Sequence, residues 1–130
     1  MTAPHERQPG VMIAMFDIPE ALDDEFNRWY DEEHIPEKVG RVPGFLRARR
    51  YRSLDGRPNY LAVYELEDVS VVEDPAYLAN YRSATTTTER MKAKAKTFYR
   101  NVYVQIGDFH GLPLEPLSDS AAVDGTGPAR

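Results

Sequence analysis

Residues 11–17 read VMIAMFD, a short and almost unbroken apolar run of the kind that forms a strand covered on both faces. Val11, Ile13 and Met15 alternate with Met12, Ala14 and Phe16, so neither side of such a strand is polar. A chain of 130 residues with 42% hydrophobic and 28% charged side chains builds one domain around one core. One face of a small sheet takes helices. A second apolar face then asks for a second subunit.

Working outward, Pro19 stands where a helix tolerates proline, in or just before its first turn. Glu20, Asp23, Asp24 and Glu25 suit the positive end of a helix dipole. Leu22, Phe26, Trp29 or Tyr30, and Glu33 recur at helical spacing and mark one core-facing stripe. The Ile35-Pro36 step disfavours α geometry at Ile35 and predicts that the regular helix stops or kinks near His34. Pro43-Gly44 is a turn, residues 45–53 alternate as a strand, residues 55–58 (DGRP) make a tight loop, and residues 60–67 return as the second arm of a hairpin. On that return strand Tyr60, Ala62, Tyr64 and Leu66 share a face. Residues 75–81 form a short helix with Tyr77, Leu78 and Tyr81 on one side. Thr86 and Glu89 have capping-box spacing for a further helical piece running to about Thr97. Residues 98–106 are the last strand, with Phe98, Val102, Val104 and Ile106 pointing one way and Tyr99, Asn101, Tyr103 and Gln105 the other. The order βαββαβ is the split, ferredoxin-like α+β arrangement: a four-stranded antiparallel sheet with helices on one face. The domain spans residues 11–111. A flexible leader, residues 1–10, is expected before it and a flexible tail, residues 112–130, after it, since neither composition buries enough apolar surface to offset ordering entropy. Leu112, Leu114 and Leu117 are the tail residues able to dock on a neighbour.

Composition narrows the function. A net charge of −5 argues against a nucleic-acid partner, which needs a clustered basic surface. No apolar run approaches the length of a membrane span, and MTAPHERQPG carries neither the basic nor the apolar region of a secretory signal, so the expected compartment is the cytoplasm. Cysteine is absent, which removes disulfides and thiolate chemistry. The three histidines, at positions 5, 34 and 110, have no metal-ligand spacing. Phosphate-binding glycine loops are lacking too. Neither a metal nor a cofactor is expected.

The stretch at residues 26–44, FNRWYDEEHIPEKVGRVPG, runs on into FLRARRY and then YLAVYELED. It resembles the dimeric α+β barrel superfamily and, within it, the EthD-like group, over about residues 11–108. The sharpest elements are WYDEEHIPE at residues 29–37 and Pro-Gly-Phe at residues 43–45. The resemblance implies a homodimer whose sheets pack face to face, with a small pocket in each subunit between sheet and helices. It leaves the chemistry open, because this scaffold hosts isomerases, cyclases, cofactor-free monooxygenases and haem-handling enzymes.

His34 is the first candidate catalytic residue. Tyr30 lies one helical turn before it on the same face. A helix C-terminus and the neighbouring Glu32 and Glu33 favour imidazolium, and histidine exchanges protons near neutrality. In similar isomerases and cyclases a histidine in this region is proposed as the acid/base group, which the resemblance carries to His34. A helix-capping histidine is the plainer alternative. Trp29 and Tyr30 offer a stacking wall for a planar substrate, although aromatics at helical spacing also make ordinary core. Arg47, Arg49, Arg50 and Arg52 surround Tyr51, two on each strand face, and a guanidinium suits a carboxylate; Arg49 is the anion-binding candidate. Among eight tyrosines, Tyr51 and Tyr64 are the substrate-orienting candidates on strands. The expected function is a cofactor-independent enzyme working on an aromatic or cyclic oxygenated small molecule by acid/base chemistry of the isomerase, cyclase, dehydratase or decarboxylase type. A cofactor-free monooxygenase and a non-catalytic dimeric binding or stress-response module are the alternatives.

Overall fold

A computed structural model of the chain describes residues 6–94 and 98–117. The apolar run forms β1 (Gly10–Phe16), a central strand paired antiparallel on both sides. The hairpin strands are β2 (Phe45–Arg52) and β3 (Tyr60–Leu66), and the last strand is β4 (Phe98–Val104). The sheet order is β2-β3-β1-β4, so the fold is the ferredoxin-like α+β arrangement that the element order predicts. β1 starts one residue earlier than expected, at a position only glycine fits: a Cβ on Gly10 would lie 2.2 Å from the carbonyl oxygen of Tyr103. The residues just before it are tied in by backbone bonds, from Val69 N–H to the Gln8 carbonyl (2.9 Å) and from Gln105 N–H to the Pro9 carbonyl (2.8 Å). β4 ends at Val104, two residues short of the expected strand.

Period-two alternation sorts the sheet into two faces. Met12, Ala14 and Phe16 of β1, with Tyr60, Ala62, Tyr64 and Leu66 of β3, are buried under the helices. Val11, Ile13 and Met15, with Leu61 and Val63, lie half-exposed on the other face.

The first helical region is irregular where the Ile35-Pro36 step predicts a stop or kink, but it does not end there. Helix α1 (Asp23–Trp29) does not stop near His34; it passes through a π-helical turn (Tyr30–His34) into α2 (Ile35–Val39). Ile35 keeps α geometry (φ −65°, ψ −47°) and its N–H bonds back five residues to the Tyr30 carbonyl. Pro36 lacks an N–H, and in a plain α-helix its ring would press on the carbonyl four residues earlier; the wider turn removes the conflict. Phe26, Trp29 and Tyr30 lie on the buried side. Phe26 packs its ring 5.1 Å from Tyr60 and 5.3 Å from Phe16. Burying such a side chain completely is worth about 1.5–3 kcal/mol.

Helix α3 (Pro75–Arg82) is capped by Asp74, whose side chain accepts from Ala76 N–H at 2.8 Å. It buries Tyr77 while Leu78 and Tyr81 stay partly exposed. Helix α4 (Thr86–Lys94) is capped by Thr85, one residue before the expected capping box: Thr85 Oγ1 accepts from Thr88 N–H at 3.1 Å and donates to Glu33 at 2.6 Å. The expected continuation of this helix at residues 95–97 lies outside the described residues, as do the first part of the leader and the tail beyond Leu117. Residues 105–117 carry no helix or strand, and Ile106, Phe109, Leu112, Leu114 and Leu117 are exposed. No helix among the described residues is long and apolar enough to cross a membrane.

Candidate functional site

The π-turn sets His34 into the layer between helices and sheet, where it is 7% exposed. Its ring stacks on Trp29 (centroids 4.6 Å apart, 27° between planes) and meets the edge of Tyr30 at 4.9 Å. Trp29 is itself fixed by its indole N–H, which donates to Thr88 Oγ1 at 3.0 Å. His34 is therefore mid-helix and is no C-cap. Its charge state also differs from the sequence expectation. Burial pushes its pKa down to about 3, and the cations of Lys38 and Lys92 push the same way, so the imidazole is neutral near pH 7. Nδ1 is buried with no hydrogen-bond partner among the described residues.

His34 borders a narrow cavity with a free volume of about 20 Å³, room for one water molecule. Met12, Ala14 and Phe16 of β1 and Tyr64 of β3 form its floor; Tyr77 and Tyr81 of α3 line another wall. The remaining walls are cationic: Lys38 from α2, Lys92 from α4 and Arg100 from β4. Lys38 is 5% exposed, and its ammonium donates to Asn80 Oδ1 at 2.5 Å. Burial, followed by Lys92, brings its pKa down to about 8, against a weaker opposing pull from Glu37. Burial lowers the pKa of Lys92 as well, with Arg100 adding to it. Arg100 donates to the Tyr77 hydroxyl, while its Nε is buried without a partner among the described residues. No acidic residue among the described residues lines the cavity.

Beneath the histidine, the hydroxyls of Tyr30 and Tyr64 share a buried 2.9 Å hydrogen bond. Burial raises the Tyr30 pKa to about 12 and that of Tyr64 well above its ordinary value, so both stay protonated phenols. Of the sequence candidates, the structure brings together His34, Tyr30, Trp29 and Tyr64. Tyr64 lines the cavity, whereas Tyr30 and Trp29 back the histidine. Arg49 and Tyr51 are not brought there. Both are exposed on the opposite sheet face, where Arg49 lies 3.4 Å from Glu65. Of the β2 arginines on the helix side, Arg50 sets its guanidinium 4.7 Å from the Tyr30 ring centre and is held by Asp31 (2.8 Å) and Asn27 (2.7 Å).

Lys38, Lys92 and Arg100 are the site residues that sequence reasoning missed. Arg100 alternates in phase with Val102 and Val104, and a charge on that apolar face was the available signal. Lys38 follows His34 at i+4. A broader, open depression of about 310 Å³, lined by Asn27, Arg50, Tyr51, Arg52 and Tyr60, makes a weaker candidate. Its Arg50 is already paired, and Tyr60 bonds Asp23 and Asn27. No group of three potential metal-binding side chains gathers among the described residues.

No protein-family model matches the chain, and no curated protein matches it either. Solved structures do. A dimeric ferredoxin-like protein from an uncultured marine organism is 15% identical, with a TM-score of 0.61 over 82% of this chain and 95% of that one. An ethyl tert-butyl ether degradation (EthD) family protein from Bacillus halodurans is 15% identical, with a TM-score of 0.53 over 75% of this chain and 99% of that one. SnoaB, a cofactor-independent oxygenase from Streptomyces nogalater, is 17% identical, with a TM-score of 0.55 over 78% of this chain and 96% of its own. At these identities the likeness establishes the ferredoxin-like α+β fold. The EthD family protein among these neighbours agrees with the resemblance drawn from residues 26–44.

Proposed function

We propose that the chain is a cofactor-independent enzyme acting on an aromatic or cyclic oxygenated small molecule by acid/base chemistry, and that it works as a homodimer. The carrying observation is His34: a buried, neutral imidazole at a cavity wall, with Nδ1 unpartnered among the described residues. A neutral imidazole can take a proton from a carbon next to a carbonyl. The C–H electron pair then delocalises onto the carbonyl oxygen, and the imidazolium returns the proton at another carbon or to a departing oxygen. Tyr64 donates or accepts from the cavity floor, and Tyr30 holds the Tyr64 hydroxyl and the imidazole ring in place. Because the cavity holds about one water, substrate entry requires movement of the exposed Tyr81 and the half-exposed Lys92. The homodimer is supported by the open sheet face, whose apolar centre (Val11, Ile13, Met15, Leu61, Val63) is flanked by Arg47, Arg49 and Tyr51 on one side and Tyr99 and Tyr103 on the other.

A second reading is a cofactor-free monooxygenase, in which the same base forms a carbanion and dioxygen is the oxidant. The fold shared with SnoaB favours it. Turnover of a panel of cyclic enols, lactones and phenols, with and without oxygen, separates the readings. Oxygen-independent turnover that falls about a hundred- to ten-thousand-fold in a folded His34→Ala variant is the expected result. Turnover only with oxygen favours the monooxygenase. Saturable binding without turnover leaves a binding module, and a His34→Ala variant of unchanged activity removes the acid/base role of His34.

A further inference from the structure

We infer that the His34 cavity is an oxyanion subsite, in which Lys38, Lys92 and Arg100 hold the single negative oxygen group of a carboxylate, enolate or phenolate. This rests on the proposed function for its location and goes beyond it in naming the charge of the substrate. Sequence-based reasoning about anions pointed instead to the β2 arginines, which this cavity does not contain.

Three cations arrive from three different elements, α2, α4 and β4, and gather round two tyrosine rings. Lys38 and Arg100 lie 5.8 and 5.5 Å from the centre of Tyr77; Lys92 and Arg100 lie 4.7 and 5.8 Å from the centre of Tyr81. Ring faces attract cations but do not neutralise them. Like charges in a poorly hydrated space repel, and no carboxylate among the described residues lines the cavity. Glu37 acts on Lys38, yet its pull is weaker than that of burial and of Lys92. Two buried nitrogens on this wall, Arg100 Nε and His34 Nδ1, have no partner among the described residues. Arg100 Nε is a donor and requires an acceptor. His34 is more than nine-tenths buried, and Nδ1 acquires a donor role once the ring is protonated. Cations that merely trail along a surface keep their charged ends in water, whereas Lys38 is buried. An oxyanion supplies the acceptor that Arg100 Nε lacks among the described residues and sets a negative charge beside the buried Lys38.

The subsite also explains how so weakly basic a histidine works. A bound anion favours the charged forms of His34 and Lys38, raising the basicity of the imidazole only when substrate is present. The remaining titratable groups facing the cavity are the phenols of Tyr64, Tyr77 and Tyr81, and burial raises the pKa of Tyr64 and of Tyr77.

The test is binding, read without turnover. Benzoate and 4-nitrophenolate are titrated into the full chain near pH 8, against the neutral isosteres benzamide and nitrobenzene, while NMR follows the Arg100 Nε–H and His34 ring signals. The expected result is a saturable shift of both signals with the anions, at least tenfold tighter binding than the neutral isosteres, and loss of that preference in Arg100→Met and in Lys38→Met. A preference for benzoate alone assigns the site to a substrate carboxylate, and a preference for 4-nitrophenolate alone to an enolate or phenolate. Equal binding of anions and isosteres, no binding, or shifts elsewhere in the chain overturns the proposal. Should one variant fail to fold, the other and the wild-type selectivity still decide it. His34→Asn separates the two readings: anion binding retained with turnover intact removes the acid/base role alone, and lost anion selectivity beside His34-dependent turnover removes the subsite alone.

Discussion

At the scale of single residues, His34 makes a pH prediction whose sign follows from its surroundings. Burial and the cations of Lys38 and Lys92 put its folded pKa near 3, below the ordinary 6.5 of the unfolded chain. Between those values the unfolded state binds the extra proton, so stability rises with pH there. Its contribution is complete above about pH 6.5 and drains away as pH falls toward 3. Urea melts across that window should therefore show a steep acid loss in the wild type and a shallower one in His34→Asn; parallel curves would mean a hydrated histidine. Tyr30→Phe tests the partner hydroxyl. It strands Tyr64 Oη in a buried place and should cost about 1–3 kcal/mol by denaturant melt, while lowering activity less than any His34 change. His34, Tyr30, Trp29 and Tyr64 were legible in the sequence because three of them share one helix face and the fourth a strand face. Neither the neutral charge state nor the three cations were, since burial and the meeting of residues 38, 92 and 100 are products of tertiary packing.

At the scale of elements, strand faces were readable from alternation alone, and Tyr60, Ala62, Tyr64 and Leu66 are buried together as their spacing requires. The helix around Pro36 was not. A proline reads as a stop or a kink, and nothing local announces that one wide turn will absorb it and let the helix continue to Val39. Removing one residue from that turn should be costly even where the side chain does nothing. Glu32 is exposed, so Glu32→Ala should change stability by less than about 0.5 kcal/mol. Deleting Glu32 instead restores α spacing, brings back the Pro36 conflict at about 3 kcal/mol or more, and turns one half of the helix against the other by about 100° per residue. Thermal melts of the two variants make the comparison; equal melting temperatures would show that the π-turn holds no such role.

At the scale of the whole molecule, the sheet separates two surfaces of different character. The helix side encloses the cavity, and the open side offers Val11, Ile13, Met15, Leu61 and Val63. Ile13→Glu puts a charge at the centre of that apolar patch and should turn a sedimenting dimer into a monomer while the helix-side core stays folded; a variant that stays dimeric would move the interface elsewhere. The apolar doubling of β1 made the second apolar sheet face legible from seven residues, but which face would receive the helices depended on residues far along the chain.

The described lining of the His34 cavity comes from the sheet and helices of a single chain, and the proposed partner surface lies across the sheet from it. Each protomer is then self-sufficient, and the pair carries two copies of one workplace without a shared bench. A hybrid formed from one wild-type chain and one His34→Ala chain should keep half the turnover of the wild-type pair, and the two cavities should fill with a Hill coefficient of about 1. Complementation between two differently crippled chains, such as His34→Ala with Arg100→Met, should restore nothing.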